Sequence, residues 1–346
     1  MSASPWTRSL NTRFDAPLPG EYRRQPEDFV VDEQLDFTPE GSGEHLWLRL
    51  EKRRQTTLEV VKALSQLCDV GQRDVGYSGM KDRFAVTRQW FSVHLPGREA
   101  PQALEASLRA LDLRLIEQGR HPRKLKRGVH RTNRFRLRLR GEAVAAASFE
   151  TRWEALCAEG VPNYFGPQRF GAGRRNLERA RALLEKGWRK RDDRQGMMLS
   201  TARSFLFNEG LSARIDEGTW ATPLAGDTLM LDGTQSVFTA ETADATLEAR
   251  AAALDLHPTG PLWGVGGQAS GAALALERML QARHPALCDG LVRAGVSKAQ
   301  RSLRARVIEP SATREGDDSV VLEFSLPRGS FATSLVGELI AHPDFF

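Results

Sequence analysis

A carboxylate between two cations, Lys81-Asp82-Arg83, follows the run Gly76-Tyr-Ser-Gly79. An aspartate can add to an electrophilic carbon or take a proton, so this tripeptide is a candidate for covalent or acid–base work. Taken alone it reads as a solvated turn rather than a site. Rival chemistries lack their residues. There is no Walker A run, HExxH pair or EF-hand loop. Gly76-Tyr-Ser78-Gly79 lacks the last glycine of a nucleophile elbow. Gly264-Val-Gly266-Gly267-Gln-Ala269 fits the loose dinucleotide pattern, but Pro258 and Pro261 precede it where an apolar strand is needed, and it reads as a loop. The seven histidines show no metal-ligand spacing. Cys68, Cys157 and Cys288 form no CxxC pair and read as reduced, buried thiols. Carboxylate chemistry, or binding without chemistry, is what remains.

Charge narrows the partner. Lys plus Arg is 49 and Asp plus Glu 44, a net of +5. From Arg120 to Arg140, ten of 21 residues are Lys or Arg and none is acidic. A solubilising face is better served by mixed signs, so this stretch reads as a contact for phosphates. A second cluster, Lys186-Gly-Trp-Arg-Lys-Arg191, runs into Asp192 and Asp193 and reads both ways. Asn163, Tyr164, Phe165, Gln168 and Arg169 set an arginine and amides beside two aromatics. That composition suits looped RNA, and equally a packed interdomain hinge.

The elements that must position these groups form an α+β pattern. Strands are expected over 27–36, around Leu46, Leu48 and Leu50, and from Gln89 to Leu95. Thr56-x-x-Glu59 is a capping box that opens a helix. Arg134 to Arg140 alternates strictly: Asn133, Phe135, Leu137 and Leu139 share one face, and four arginines share the other. Helices are then expected at Ser148–Glu159, Asn176–Lys186, Met198–Glu209 and Gly271–His284, the first two stopped by Gly160 and Gly187. One hairpin is expected to turn at Asp232-Gly233. Strands return at Arg304–Ile308 and Ser319–Leu326, with a short helix from about Phe331. An α+β domain interrupted by a mainly helical insertion accounts for this order, and the length of 346 residues fits two domains. Met1 to Pro17 holds no apolar run with a cleavage site, and no stretch approaches 18 consecutive apolar residues. A cytoplasmic protein, with no membrane contact, is expected.

Five segments in order carry a resemblance: Pro26-Glu27-Asp28-Phe29; Val75-Gly-Tyr-Ser-Gly-Met-Lys81-Asp82-Arg83 through Val93; Lys124-Leu-Lys-Arg-Gly128-Val-His130-Arg-Thr-Asn133-Arg-Phe135; Pro162-Asn-Tyr-Phe-Gly-Pro-Gln-Arg-Phe-Gly171; and Leu326-Pro-Arg-Gly-Ser-Phe331-Ala-Thr-Ser. Together they resemble the tRNA pseudouridine synthase D (TruD) family, from residue 26 to 334. The resemblance implies isomerisation of uridine to pseudouridine in tRNA, at position 13 of the D arm, without cofactor or metal. It implies a pseudouridine-synthase-type fold: a mixed, mainly antiparallel sheet with flanking helices and permuted strand order, plus a mainly helical α/β insertion domain. The expected division is 1–153 with 305–346 as catalytic domain and 154–304 as insertion. Two positions depart from the pattern: Phe84 stands where a histidine or other polar residue is expected, and Thr132 where a glycine is expected.

The resemblance makes Asp82 the catalytic carboxylate, as nucleophile or as base toward the sugar. Phe135 is expected to stack on the flipped uracil, Asn133 to meet its edge or hold Asp82, and Phe331 to close the pocket. Glu27 and Lys81 are expected nearby, the first set against the second. Lys124, Lys126, Arg127, His130, Arg131 and Arg169 are expected to hold the RNA backbone. The partner is tRNA, with a monomer and no obligate protein partner. Two other readings share these residues: an RNA-binding or RNA-folding protein without catalysis, and a hydrolase using Glu27 and Asp82 on a glycosidic bond.

Overall fold

The computed structural model describes residues 14–193 and 196–345. The reading of Met1 to Pro17 therefore falls largely outside the described residues. In chain order the first strands and helices are β1 (Phe29–Gln34), β2 (His45–Arg53), α1 (Thr57–Leu67), β3 (Val75–Tyr77), β4 (Val86–His94), α2 (Leu104–Ala110), β5 (Leu113–His121), β6 (Thr132–Arg140) and α3 (Glu142–Ala145). The middle of the chain holds α4 (Ser148–Glu159), β7 (Val161–Pro162), α5 (Arg175–Lys186), α6 (Met197–Asp216), β8 (Thr228–Leu231), β9 (Val237–Thr239), α7 (Ala245–Ala252), β10 (Leu256–Leu262), α8 (Gly271–Arg283), α9 (Pro285–Arg293), β11 (Ala299–Ser302) and β12 (Arg304–Ala305). The chain ends with β13 (Ile308–Gly316), β14 (Ser319–Pro327) and α10 (Ala332–Leu339).

Contacts divide the chain into two units. A sheet unit takes residues 20–145 and 308–329; a mainly helical unit takes the chain up to Pro19 together with 146–307 and 330–346. Among the described residues no helix is long and apolar enough to cross a membrane.

The sheet unit is built on one eight-stranded sheet of order β13-β14-β6-β1-β4-β2-β5, with β3 added beside β4. Every pair is antiparallel except β1 with β4. The capping box is present: Thr56 Oγ1 accepts from Glu59 N, and the Glu59 carboxylate accepts from Thr56 N. Period-two alternation divides β2 between two cores. Leu46, Leu48 and Leu50 pack with Phe91, Val93 and the apolar stripes of α1 and α2, while Trp47 turns to Trp90 and Leu125. β5 had no sequence signal because its outer positions, Arg114, Glu117 and Gln118, are solvated and interrupt the apolar pattern.

In the helical unit, α4, α5 and α8 match their expected spans within a residue or so, and Gly160 and Gly187 stand at the C-caps of α4 and α5. α6 runs seven residues past Glu209, because the buried residues Gly210, Leu211, Ser212, Arg214 and Ile215 continue its packed face. β10 is a strand despite Pro258 and Pro261. It pairs with β8 over 256–258 and with β11 over 259–262, so each proline lies where only one flank carries a ladder. The glycines that follow it do form a loop.

The sheet unit also fixes the segment between β3 and β4 that carries Asp82. Lys52, buried at the end of β2, donates to Gln55 O (2.6 Å) and to the backbone oxygen of Asp82 (3.2 Å). Burial pushes its ammonium down to about 8, against the pull of Asp82. Between that value and the ordinary lysine value of 10.5 the unfolded chain binds more protons than the folded one. The stability of the wild type should therefore rise relative to a Lys52→Met variant as pH climbs from about 8 to about 10.5, and run parallel to it below 8. Denaturant unfolding across that range checks the sign, and a flat difference would contradict the burial.

Candidate active site

The strand register builds the site. On the buried face of β1, Phe29, Val31 and Glu33 lie opposite Leu137, Phe135 and Asn133 of β6. Across β6 on its other side, Phe324 and Leu326 of β14 oppose Phe135 and Asn133. Glu33 and Asn133 are thus side-by-side neighbours, and the Lys81 ammonium reaches both, at 3.0 Å from Glu33 Oε2 and 2.6 Å from Asn133 Oδ1. Glu33 is buried, and its Oε1 accepts from Trp90 N. Burial pushes its carboxyl upward, opposed by the charge of Lys81. An ammonium can only donate, so the Asn133 oxygen must face it. The NH2 end of that amide has no protein partner among the described residues.

The Asp82 loop is tied down along its backbone. Gly79 O accepts from Gln89, Lys81 N donates to Thr57 Oγ1, and Asp82 O accepts from Lys52. Thr57 and Gln89 are buried and bonded to each other at 3.0 Å. Its side chains then diverge. Lys81 turns inward, its side chain 6% exposed, whereas that of Asp82 is 40% exposed. Arg83 is exposed and donates to Arg54 O. Neither sequence neighbour faces the Asp82 carboxylate; Arg23 does, donating to Oδ2 at 2.8 Å. The Arg23 guanidinium lies 4.0 Å from the centroid of the Phe29 ring, and Phe29 in turn meets Phe135 edge-on at 6.2 Å. Oδ1 of Asp82 has no protein partner among the described residues. The arrangement is one carboxylate oxygen held, one free, on a loop tied to the strand that carries Asn133 and Phe135.

Arg23 and Glu33 are the residues that sequence reading missed. Neither sits in a motif, and both act through contacts of long sequence separation. Glu27 lies elsewhere than expected relative to Lys81: it pairs with Arg53 at 2.6 Å on the surface, and Arg53 holds its carboxyl below the usual range. Phe135 is buried, and its ring stacks on Phe324 at 5.4 Å. Phe331 belongs to the helical unit, preceding α10, with its ring 6.1 Å from Phe165.

The basic loop between β5 and β6 is anchored through its backbone and Leu125. Trp47 Nε1 donates to Arg123 O, Leu125 N to Ser92 Oγ, and Gly128 N to Ser78 O. Gly76 makes the close crossing possible: a Cβ there would lie 2.4 Å from Leu125 O. Lys126, Arg127 and Arg131 are exposed, with Arg127 bonded to the Tyr77 hydroxyl. Lys124 is half-buried and donates to Arg73 O. His130 is buried against Ser78 Oγ at 2.6 Å, and burial, with Lys81 and Arg328, holds its imidazole down to about 4. At neutral pH it can offer a phosphate only an uncharged N–H.

The arginine ladder of β6 faces acids. Arg134 and Arg136 lie near Glu323, Arg138 near Glu315 and Asp28, and Arg140 on Asp28. In the helical unit Arg169 is half-buried, its guanidinium 5.5 Å from the Phe165 ring, and burial lowers its pKa. Asn163, Tyr164 and Phe165 are buried, with Tyr164 on Ser212 and Phe165 N on Asn208. These three pack the interior of that unit.

Comparison with known proteins identifies the family. The family model described as tRNA pseudouridine synthase D matches residues 14–191 and 191–339. A tRNA pseudouridine synthase D from Chromohalobacter salexigens is 54% identical over 346 residues, covering 99% of each chain. That from Methylococcus capsulatus is 42% identical over 93% of this chain and 91% of its own. That from Pseudomonas aeruginosa strain LESB58 is 45% identical over 91% of this chain and 88% of its own. The crystal structure of the Methanosarcina mazei protein assigned as tRNA pseudouridine synthase D shares the fold, with a TM-score of 0.71 at 20% identity over 99% of each chain. The chain belongs to the tRNA pseudouridine synthase D family.

Proposed function

We propose that this protein isomerises uridine to pseudouridine in tRNA, at position 13 of the D arm, with Asp82 as the reacting carboxylate. Family membership and relatives of matching length support the pseudouridine synthase activity. The observation that carries the residue-level reading is the Asp82 carboxylate: one oxygen is fixed by Arg23 at 2.8 Å, and the other has no partner among the described residues. The reaction breaks N1–C1′, turns the uracil and joins C5 to C1′; C5 gives up a proton and N1 gains one. Nothing is oxidised and no group departs, so a cofactor is not required. Asp82 acts at the sugar–base junction, as nucleophile or as base toward the sugar.

The other roles belong to the same proposal. Asn133 presents its NH2 as a donor, which suits a uracil carbonyl. Phe135, backed by Phe324 and Phe29, is the ring for the extruded base. Lys81 and Glu33 position Asn133 and the loop. Lys124, Lys126, Arg127, His130, Arg131 and Arg169 contribute RNA contacts, with His130 as an uncharged donor. Glu27 supports the site from the surface through Arg53, and a pocket-closing role for Phe331 rests on its motif alone. Functionally we divide the chain into a catalytic domain, 1–153 with 305–346, and an insertion, 154–304. By contacts, residues 330–346 pack with the helical unit. A single chain acting in the cytoplasm on free tRNA completes the reading.

Two outcomes test it. Tritium release from tRNA labelled at uridine C5 should occur with the wild type, and fall about 1,000-fold or more in Asp82→Asn. A well-folded Asp82→Asn protein with unchanged turnover contradicts the assignment. Lys81→Met leaves Glu33 buried without its cation and should cost about 3 kcal/mol of stability. Adding Glu33→Gln should recover part of that stability while turnover stays low, because Asn133 no longer has an ammonium to orient it. Recovery of turnover together with stability would reduce Lys81 to a structural role.

A further inference from the structure

Two large apolar side chains stand in solvent on the short stretch that carries Asp82: Met80, 58% exposed, and Phe84, 45% exposed. Scattered apolar groups on a surface need no explanation. These two flank the carboxylate at two residues on either side. Their loop is held through Gly79 O, Lys81 N and Asp82 O, so the backbone bonding fixes this exposure. Arg54 adds to the patch, its guanidinium 5.7 Å from the Phe84 ring centroid. The Arg54 backbone is left-handed, with φ of 55°, and its carbonyl accepts from Arg83 Nε at 3.2 Å. The turn after β2 thus brings an exposed guanidinium to an exposed ring.

Extruding a uridine from its stack leaves the neighbouring base with an uncovered face. A ring two residues from the reacting carboxylate can cover it, and a guanidinium at that ring supplies charge for the adjoining phosphate. We propose that Phe84, with Arg54 and Met80, is a stacking platform for the unstacked base adjacent to the target uridine, distinct from the Phe135 ring that receives the target itself. This rests on the functional reading above. The apolar surface and the positive charge together fit a nucleobase on its phosphate better than an apolar peptide.

The probe is a tRNA carrying 2-aminopurine immediately 5′ or 3′ of the target, titrated with wild type, Phe84→Ala and Phe84→Trp, alongside tritium-release kinetics on C5-labelled tRNA. With wild type, the fluorescence of one of the two probes should be quenched on binding. Phe84→Ala should lose that quenching and raise KM roughly 5- to 150-fold, the range expected for one base–aromatic stack, with the loss falling on KM more than on kcat. Phe84→Trp should restore both. Absence of quenching at both positions with wild type overturns the platform. So does a Phe84→Ala protein of wild-type thermal stability with unchanged quenching and KM, or one whose loss lies in kcat alone. Tritium release by the wild type separates the two readings: no release sinks the functional assignment, whereas release with an indifferent Phe84 sinks only the platform.

Discussion

The site depends on one buried ammonium. Lys81 joins the Asp82 loop to two strands at once, through Glu33 on β1 and Asn133 on β6. Burying a carboxylate as deeply as Glu33 is costly, and the cost is offset only because a cation and a backbone N–H meet its two oxygens. That expense yields specificity of position. The loop that bears Asp82 cannot shift along the sheet without leaving two polar groups unpartnered, and the Asn133 amide cannot turn over while a donor faces its oxygen. Register makes this possible, since Glu33 and Asn133 are directly opposed across an antiparallel pair. A slip of one residue would put them on opposite faces of the sheet.

Charge on this protein has to be read by what each cation already holds. The four arginines of β6 form the most regular basic feature of the sequence, yet Glu323, Glu315 and Asp28 stand against them. They hold β6 to β13, β14 and the turn before β1. The cations left outward are those of the preceding loop, above all Lys126, Arg127 and Arg131, on a backbone anchored to Trp47, Ser78 and Ser92. Burying Leu125 under Trp47 and Trp90 contributes about 2 kcal/mol toward holding that loop in place. An anchored loop presents its charges in fixed geometry, which favours a shaped polyanion over a diffuse one.

Much of this was legible in the sequence because it is local. The Thr56–Glu59 box, the Gly160 and Gly187 stops and the alternation of 133–140 each depend on residues a few positions apart, and each appears as expected. Asp82 stood out through its motif. What escaped is non-local. Glu33 reads as one more charge at a strand end until β6 is laid beside it. Arg23 lies 59 residues from the carboxylate it holds. Glu27, placed by motif near Lys81, is drawn instead to Arg53, which is nearer in the fold. The prolines of β10 argued against a strand, and the argument failed because that strand changes partner midway and leaves a flank open at each proline. Tyr164 and Phe165, composed like an RNA contact, are core residues.

The central proposal is that the Asp82 oxygen not held by Arg23 and the NH2 of Asn133 act on one pyrimidine. A crystal structure with tRNA carrying 5-fluorouridine at the target tests it most directly. The account predicts the extruded base against Phe135, a base carbonyl within hydrogen-bond reach of Asn133 Nδ2, and Asp82 Oδ1 turned to the sugar–base junction. A base seated away from Asp82, or an Asn133 that has left Lys81 and presents its oxygen to the base, would contradict it.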